Sequence, residues 1–240
     1  MRKFKAAGGG ARPPSPKKIK TAPPSRKLPI SPVRDMIPAV MRVKKGSLIV
    51  LEGIDGAGKS TQARRLLKRL RGLGLEAVSF REPSRGKWGR QIKRLAKVPG
   101  SLSPEEELEL FVRDREENVA RNLKPALAAG KIVVLDRYYF STIAYQGAKG
   151  LDPARIRRLN EKIAVKPDLV FILDIGAGPG LARIRFRKRK DLLFEKERYL
   201  RRVRAIFRSL KGREFVHLDA SRSREETARD IWTRVTRLLN

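Results

Sequence analysis

Gly53-Ile54-Asp55-Gly56-Ala57-Gly58-Lys59-Ser60-Thr61 gathers the groups in this chain best placed to do chemistry: glycines, an acid, a lysine and two hydroxyls in one short run. The spacing fits G-x-x-x-x-G-K-[ST], the P-loop, in which backbone N–H groups wrap a phosphate chain. Glycines let the main chain come close to that chain and take up positive φ. A helix opening near Lys59 would aim its unpaired N–H groups and positive dipole end at the same place. Lys59 is then the cation to reach β- and γ-phosphates, and Ser60 the hydroxyl to hold Mg²⁺.

Two further stretches carry usable charge. Asp136 ends the apolar run Ile132-Val133-Val134-Leu135, where a carboxylate can orient a nucleotide-bound Mg²⁺. Arg137 follows it, and a guanidinium fork matches the oxygens of a phosphate. Arg183, Arg185, Arg187, Lys188, Arg189 and Lys190 then form a dense basic run. Phosphoryl transfer is catalysed mostly by positioning and by cations that meet charge on the equatorial oxygens, so a basic lid over residues 183–195 suits such a site. His217 is the single histidine and has no catalytic role in this reading.

These groups need a scaffold, and the body of the chain alternates strand with helix. Strands are expected at 47–52, 75–81, 131–136, 168–174 and 214–218. Helices are expected at 59–73, 90–97, 103–122, 152–164, 181–210 with a break near 188–193, and 224–239. Ser103-Pro104-Glu105-Glu106 has the cap, proline and acids of a helix start. The fold class is α/β: a five-stranded parallel sheet with helices on both faces, of the P-loop NTPase kind. Ligands of such sheets bind beyond the carboxyl ends of the strands, where the P-loop, Arg81-Glu82-Pro83 and Asp136-Arg137-Tyr138 all fall.

Composition sets the outer bounds. With 240 residues the chain has room for one such domain, spanning 47–240, plus a tail. The absence of cysteine excludes disulfides, thiolate metal sites and a cysteine nucleophile. No apolar run is long enough to span a bilayer, and a cytoplasmic protein is expected. The formal charge of +32 would attract nucleic acid, anionic membrane or polyphosphate alike. Residues 1–46 hold thirteen Lys/Arg against one acid among Pro-Pro and Gly-Gly-Gly runs, and read as a disordered basic tail. A start at Met41, a nucleic-acid arm and a targeting sequence all remain open for it.

The run from Leu51 to Gln62, with Asp55 inside it, resembles the P-loop of the thymidylate kinase family. Arg81-Glu82-Pro83 resembles that family's second motif, and Asp136-Arg137-Tyr138 with Ser141-Thr142 and Ala144-Tyr145-Gln146-Gly147 its third. Pro167-Asp168-Leu169 and Leu173-Asp174 resemble its fourth strand, and the Asp219-Ala220-Ser221 turn its adenine-bordering loop.

The resemblance implies transfer of the γ-phosphate of ATP to dTMP with Mg²⁺, in a homodimer. It implies that Phe111 stacks on thymine, that Arg115 and Thr142 read the base edge, and that Tyr145 sits against the sugar. Asp55 would lie near the 3′-hydroxyl and acceptor phosphate, with Arg81 and Arg137 holding that phosphate. Two departures stand out. Ser84-Arg85 replaces the family's usual Gly-Gly pair, and the P-loop contains no arginine. The catalytic cation must then come from the lid, where Arg187 and Arg189 are the first candidates and Arg183 a third. Two rival readings remain: a kinase of another deoxynucleotide or nucleoside, and a nucleic-acid-binding P-loop ATPase.

Overall fold

The computed structural model describes residues 46–98, 100–184 and 190–240, without the side chains of 190–194. Five strands, β1 (Ser47–Glu52), β2 (Ala77–Arg81), β3 (Ile132–Asp136), β4 (Leu169–Asp174) and β5 (Phe215–Asp219), form one parallel sheet in the order β2-β3-β1-β4-β5. Every residue of β3 is buried, as are the last five of β1. Successive side chains on a strand point to opposite faces, so continuous burial means that helices cover both. The chain winds outward on either side of β1, and the crevice beyond its carboxyl end opens between diverging connections.

The helices are α1 (Lys59–Gly72), α2 (Lys87–Leu95), α3 (Pro104–Asn118), α4 (Lys124–Ala128), α5 (Tyr139–Gly147), α6 (Pro153–Glu161), α7 (Ala177–Arg183), α8 (Lys190–Ser209) and α9 (Arg224–Leu239). The Ser103 cap is present: its side chain accepts from Glu106 N while the Glu106 carboxylate takes Ser103 N, a reciprocal capping box. Four expectations need correction. Helix α5 arises where no element was expected, α2 begins three residues earlier, at Lys87, and the helix expected to reach residue 122 passes at Val119–Leu123 into a π-helical turn before α4. Residues 1–45 of the tail and Arg185, Arg187 and Arg189 lie outside the described residues, and the break expected at 188–193 is corrected in its later part, since residues 190–193 belong to α8.

The loop carrying Ser84 in place of glycine is anchored by its own side chain. Ser84 N and Oγ donate to the two oxygens of Asp114 on α3 at 2.7 and 2.5 Å, and Gly86 N donates back to Ser84 Oγ at 2.9 Å. Ser84 and Asp114 are both buried, so the departure from Gly-Gly is absorbed by a carboxylate thirty residues along the chain.

The core runs through the sheet, and Phe171 on β4 is fully buried within it. Phe171→Ala should cost about 3–5 kcal/mol, the usual range for removing a buried aromatic, read as a lowered urea midpoint at unchanged slope.

Candidate active site

The carboxyl ends of β1, β2 and β3 meet in register, with Leu51 opposite Asp136 and Arg81 opposite Asp136. This brings three sequence-distant motifs to one rim. At that rim the P-loop borders a cavity of about 810 Å³ lined by residues from Asp55 to Gln62 together with Arg81, Arg137, Arg183, the Ala220-Ser221-Arg222-Ser223 turn and the start of α9 at Arg224 and Thr227. Gly56 shows why the loop needs glycine: at φ 81° a Cβ would stand 2.0 Å from the Gly180 carbonyl oxygen. Gly58, at φ 94°, occupies the left-handed N-cap of α1.

Lys59 is buried and donates to Ile54 O at 2.7 Å across the loop. Burial, reinforced by the charge of Arg137, lowers its pKa to about 7, and an incoming phosphate would restore the full ammonium charge. Ser60 Oγ donates to Asp136 Oδ2 at 2.5 Å, and Arg81 Nη2 lies 3.6 Å from the same oxygen. Asp136 Oδ1 is buried without a hydrogen-bond partner. An unpaired buried carboxylate oxygen beside a P-loop hydroxyl is what a Mg²⁺ shell requires. Arg183 donates to Ala220 O at 2.9 Å and lies at the other lip of this cavity.

A second cavity, of about 420 Å³, adjoins the first and has Arg137 in both walls. Its size falls in the range of about 300–1,000 Å³ common for small-molecule sites. It contains Phe111, Arg115, Thr142 and Tyr145, the residues expected to hold a nucleotide base and sugar, among apolar neighbours such as Leu102 and Leu110. Arg81 lines only the first cavity.

Arg115 is nearly inaccessible and is held by buried partners. Its Nε and Nη2 donate to Glu82 Oε2 at 2.9 and 2.5 Å, Nη2 also to Thr142 Oγ1 at 3.2 Å, and Nη1 to Asn160 Oδ1. Burial raises the pKa of Glu82 while the guanidinium opposes that rise. One N–H on Nη1 and the Thr142 hydroxyl hydrogen are left over as donors.

Arg137 joins the two cavities. It stands at φ 72°, a left-handed conformation rare for a residue with a Cβ. Its Nη2 donates to Asp55 Oδ1 at 2.5 Å and to Tyr145 OH at 3.4 Å, and its Nη1 to Ser141 Oγ at 3.0 Å.

Several contributors have no assigned role in the sequence reading. Glu52, fully buried at the end of β1, accepts from Tyr138 N, Ser141 N and Ser141 Oγ. Gln146 donates from Nε2 to Glu107 at 2.5 Å, and its Oε1 is buried without a partner beside the second cavity. Tyr199, on α8, donates to Tyr145 O at 2.9 Å and closes the same cavity. Glu52, Ser141 and Gln146 all lie within recognised motifs, yet their roles depend on partners from other elements, which spacing alone does not reveal.

Comparison with known proteins agrees with this geometry. A family model described as thymidylate kinase matches residues 51–231. The thymidylate kinase of Akkermansia muciniphila is 48% identical over 185 residues, covering 77% of this chain and 89% of its own length. That of Desulfotalea psychrophila is 43% identical over 195 residues, covering 81% and 96%. That of Brachyspira hyodysenteriae is 40% identical over 187 residues, covering 78% and 92%. The P-loop, the buried Asp136 and the apolar cavity therefore sit in a chain that belongs to the thymidylate kinase family.

Proposed function

We propose that the protein transfers the γ-phosphoryl group of ATP to dTMP, giving dTDP and ADP. One observation carries the reading: a P-loop-lined cavity and a largely apolar cavity share one residue in their walls, Arg137. The P-loop backbone and Lys59 would hold the β- and γ-phosphates of ATP, and Arg183 with the Ala220-Ser221 turn would border its base. Ser60 and Asp136 would hold Mg²⁺, which would supply neutralisation of the phosphate charge. In the transfer, an acceptor phosphate oxygen forms a bond to Pγ while the bond from Pγ to the bridging oxygen breaks. ADP leaves with that electron pair. The acceptor oxygen is already anionic, so no general base is needed, consistent with a chain whose only histidine, His217, is engaged with Leu210 O at 2.8 Å.

The acceptor cavity favours thymine by its pattern of donors and acceptors. Glu107 accepts from the amide nitrogen of Gln146, which orients the amide and leaves its buried oxygen without a protein partner at this cavity. That oxygen suits an N3–H, present in thymine and absent from cytosine. The spare donor of Arg115 suits a base carbonyl, and Phe111 supplies a face for stacking. Tyr145 would border the sugar, Asp55 its 3′-hydroxyl, and Arg137 with Arg81 the acceptor phosphate. Arg187 and Arg189, between α7 and α8, would supply the catalytic cation of the lid. A homodimer in the cytoplasm, with the basic tail as the one route to nucleic acid, completes this reading; among the described residues no helix is long and apolar enough to cross a membrane.

The test is ATP consumption with Mg²⁺ across dTMP, dUMP, UMP, dCMP, dAMP and dGMP. Preferred turnover of dTMP that disappears in Lys59→Ala is expected; a different preferred acceptor, or ATP hydrolysis stimulated only by nucleic acid, would overturn the reading. Gln146→Leu should lower kcat/KM for dTMP about tenfold, the value of one well-made hydrogen bond of about 1.4 kcal/mol, and leave dCMP nearly unaffected.

A further inference from the structure

Glu52 is a wholly buried carboxylate placed one residue before the P-loop. Its hydrogen bonds go to the start of α5, from Tyr138 N at 2.7 Å, Ser141 N at 3.0 Å and Ser141 Oγ at 2.6 Å. Tyr138 is the N-cap of α5 and its side chain makes no capping bond. Glu52 thus supplies from β1 the acceptor that a capping residue would supply locally, and its negative charge meets the positive end of the helix.

The direction of the hydrogens gives this contact a second consequence. Three donors converge on Glu52, two backbone N–H groups on Oε1 and the Ser141 hydroxyl on Oε2, so the Ser141 hydrogen is committed to the carboxylate. The Ser141 oxygen is then fixed as an acceptor, and Arg137 Nη1 donates to it at 3.0 Å. From Arg137 the chain of contacts continues to Asp55 in the P-loop and to Tyr145 in the acceptor cavity. Helix α5 itself carries Thr142, Tyr145 and Gln146 into that cavity.

We propose that Glu52 is a positioning residue for the phosphoryl acceptor, acting through Ser141 to set both the Arg137 guanidinium and the start of α5. Glu52 itself touches neither substrate. It holds the acceptor-reading helix to the strand from which the P-loop springs, so that the two bound phosphates keep one relative placement. The inference rests on dTMP being bound in the second cavity, as in the reading above.

The experiment uses the full chain as Glu52→Gln, Ser141→Ala and the double variant, with steady-state constants for dTMP and ATP measured separately. Gln keeps the size of the side chain, but its amide would donate to Ser141 rather than accept, reversing the relay. Glu52→Gln should raise KM for dTMP at least fivefold while KM for ATP stays within threefold. Ser141→Ala should act in the same direction, and the double variant should lose no more than twofold beyond Glu52→Gln, because both changes cut one relay. A smaller rise for dTMP, parallel losses for both substrates, or losses that multiply in the double variant would overturn the proposal. Should Glu52→Gln fail to fold, Ser141→Ala decides alone: a rise in KM confined to dTMP supports the relay, and an unchanged or parallel KM refutes it. Wild-type protein that does not turn over dTMP would instead contradict the acceptor assignment itself.

Discussion

The in-register ending of β1, β2 and β3 is the constraint on which the site depends. With Leu51, Arg81 and Asp136 side by side, Asp136 meets both the Ser60 hydroxyl and the Arg81 guanidinium, and Arg137 N closes onto Leu51 O at 3.0 Å. A slip of one residue in β3 would turn Asp136 to the opposite face of the sheet and lose these contacts together. Burial on both faces enforces the register, since every residue of Ile132–Asp136 is packed.

Electrostatics explains why such a costly cluster persists. Lys59, Arg81, Arg137, Arg183, Arg222 and Arg224 line one cavity together with a single acid, Asp55, among the described residues, and Asp136 stands just behind Ser60. The excess of cations is poorly compensated until a polyanion enters, and the pKa of Lys59 is lowered first by its burial and then by the charge of Arg137. Arg137 adds local strain at φ 72°, held by ladder-like bonding on one side and by Asp55, Ser141 and Tyr145 on the other. Glu52 and Glu82 each balance part of this charge from beneath the surface, one behind Arg137 and one behind Arg115.

Much of this was legible in the sequence, because the P-loop and the strand-ending Asp136 are local patterns. The five strands and α9 follow from apolar runs and caps that no tertiary contact overrides. Helix α5 was not legible, since Tyr139, Phe140, Thr142, Ile143, Ala144 and Gln146 are all buried and a helix covered on most sides loses its apolar stripe. Neither was the anchoring of Ser84, which depends on Asp114, nor the capping of α5, whose acceptor lies eighty-six residues earlier in Glu52. Arg115 illustrates a finer limit. Its place beside the acceptor was expected, but its confinement by Glu82, Asn160 and Thr142 emerges only when four elements are brought together.

Two adjoining cavities that share Arg137, with the P-loop lining one and α5 the other, call for direct transfer between two bound nucleotides. The stereochemical course of the reaction addresses that most directly. With a γ-phosphoryl group of ATP made chiral by oxygen isotopes, a single in-line displacement onto dTMP inverts the configuration at phosphorus, and inversion is the result this architecture predicts. Retention would mean two successive transfers through a group on the protein, and would contradict it.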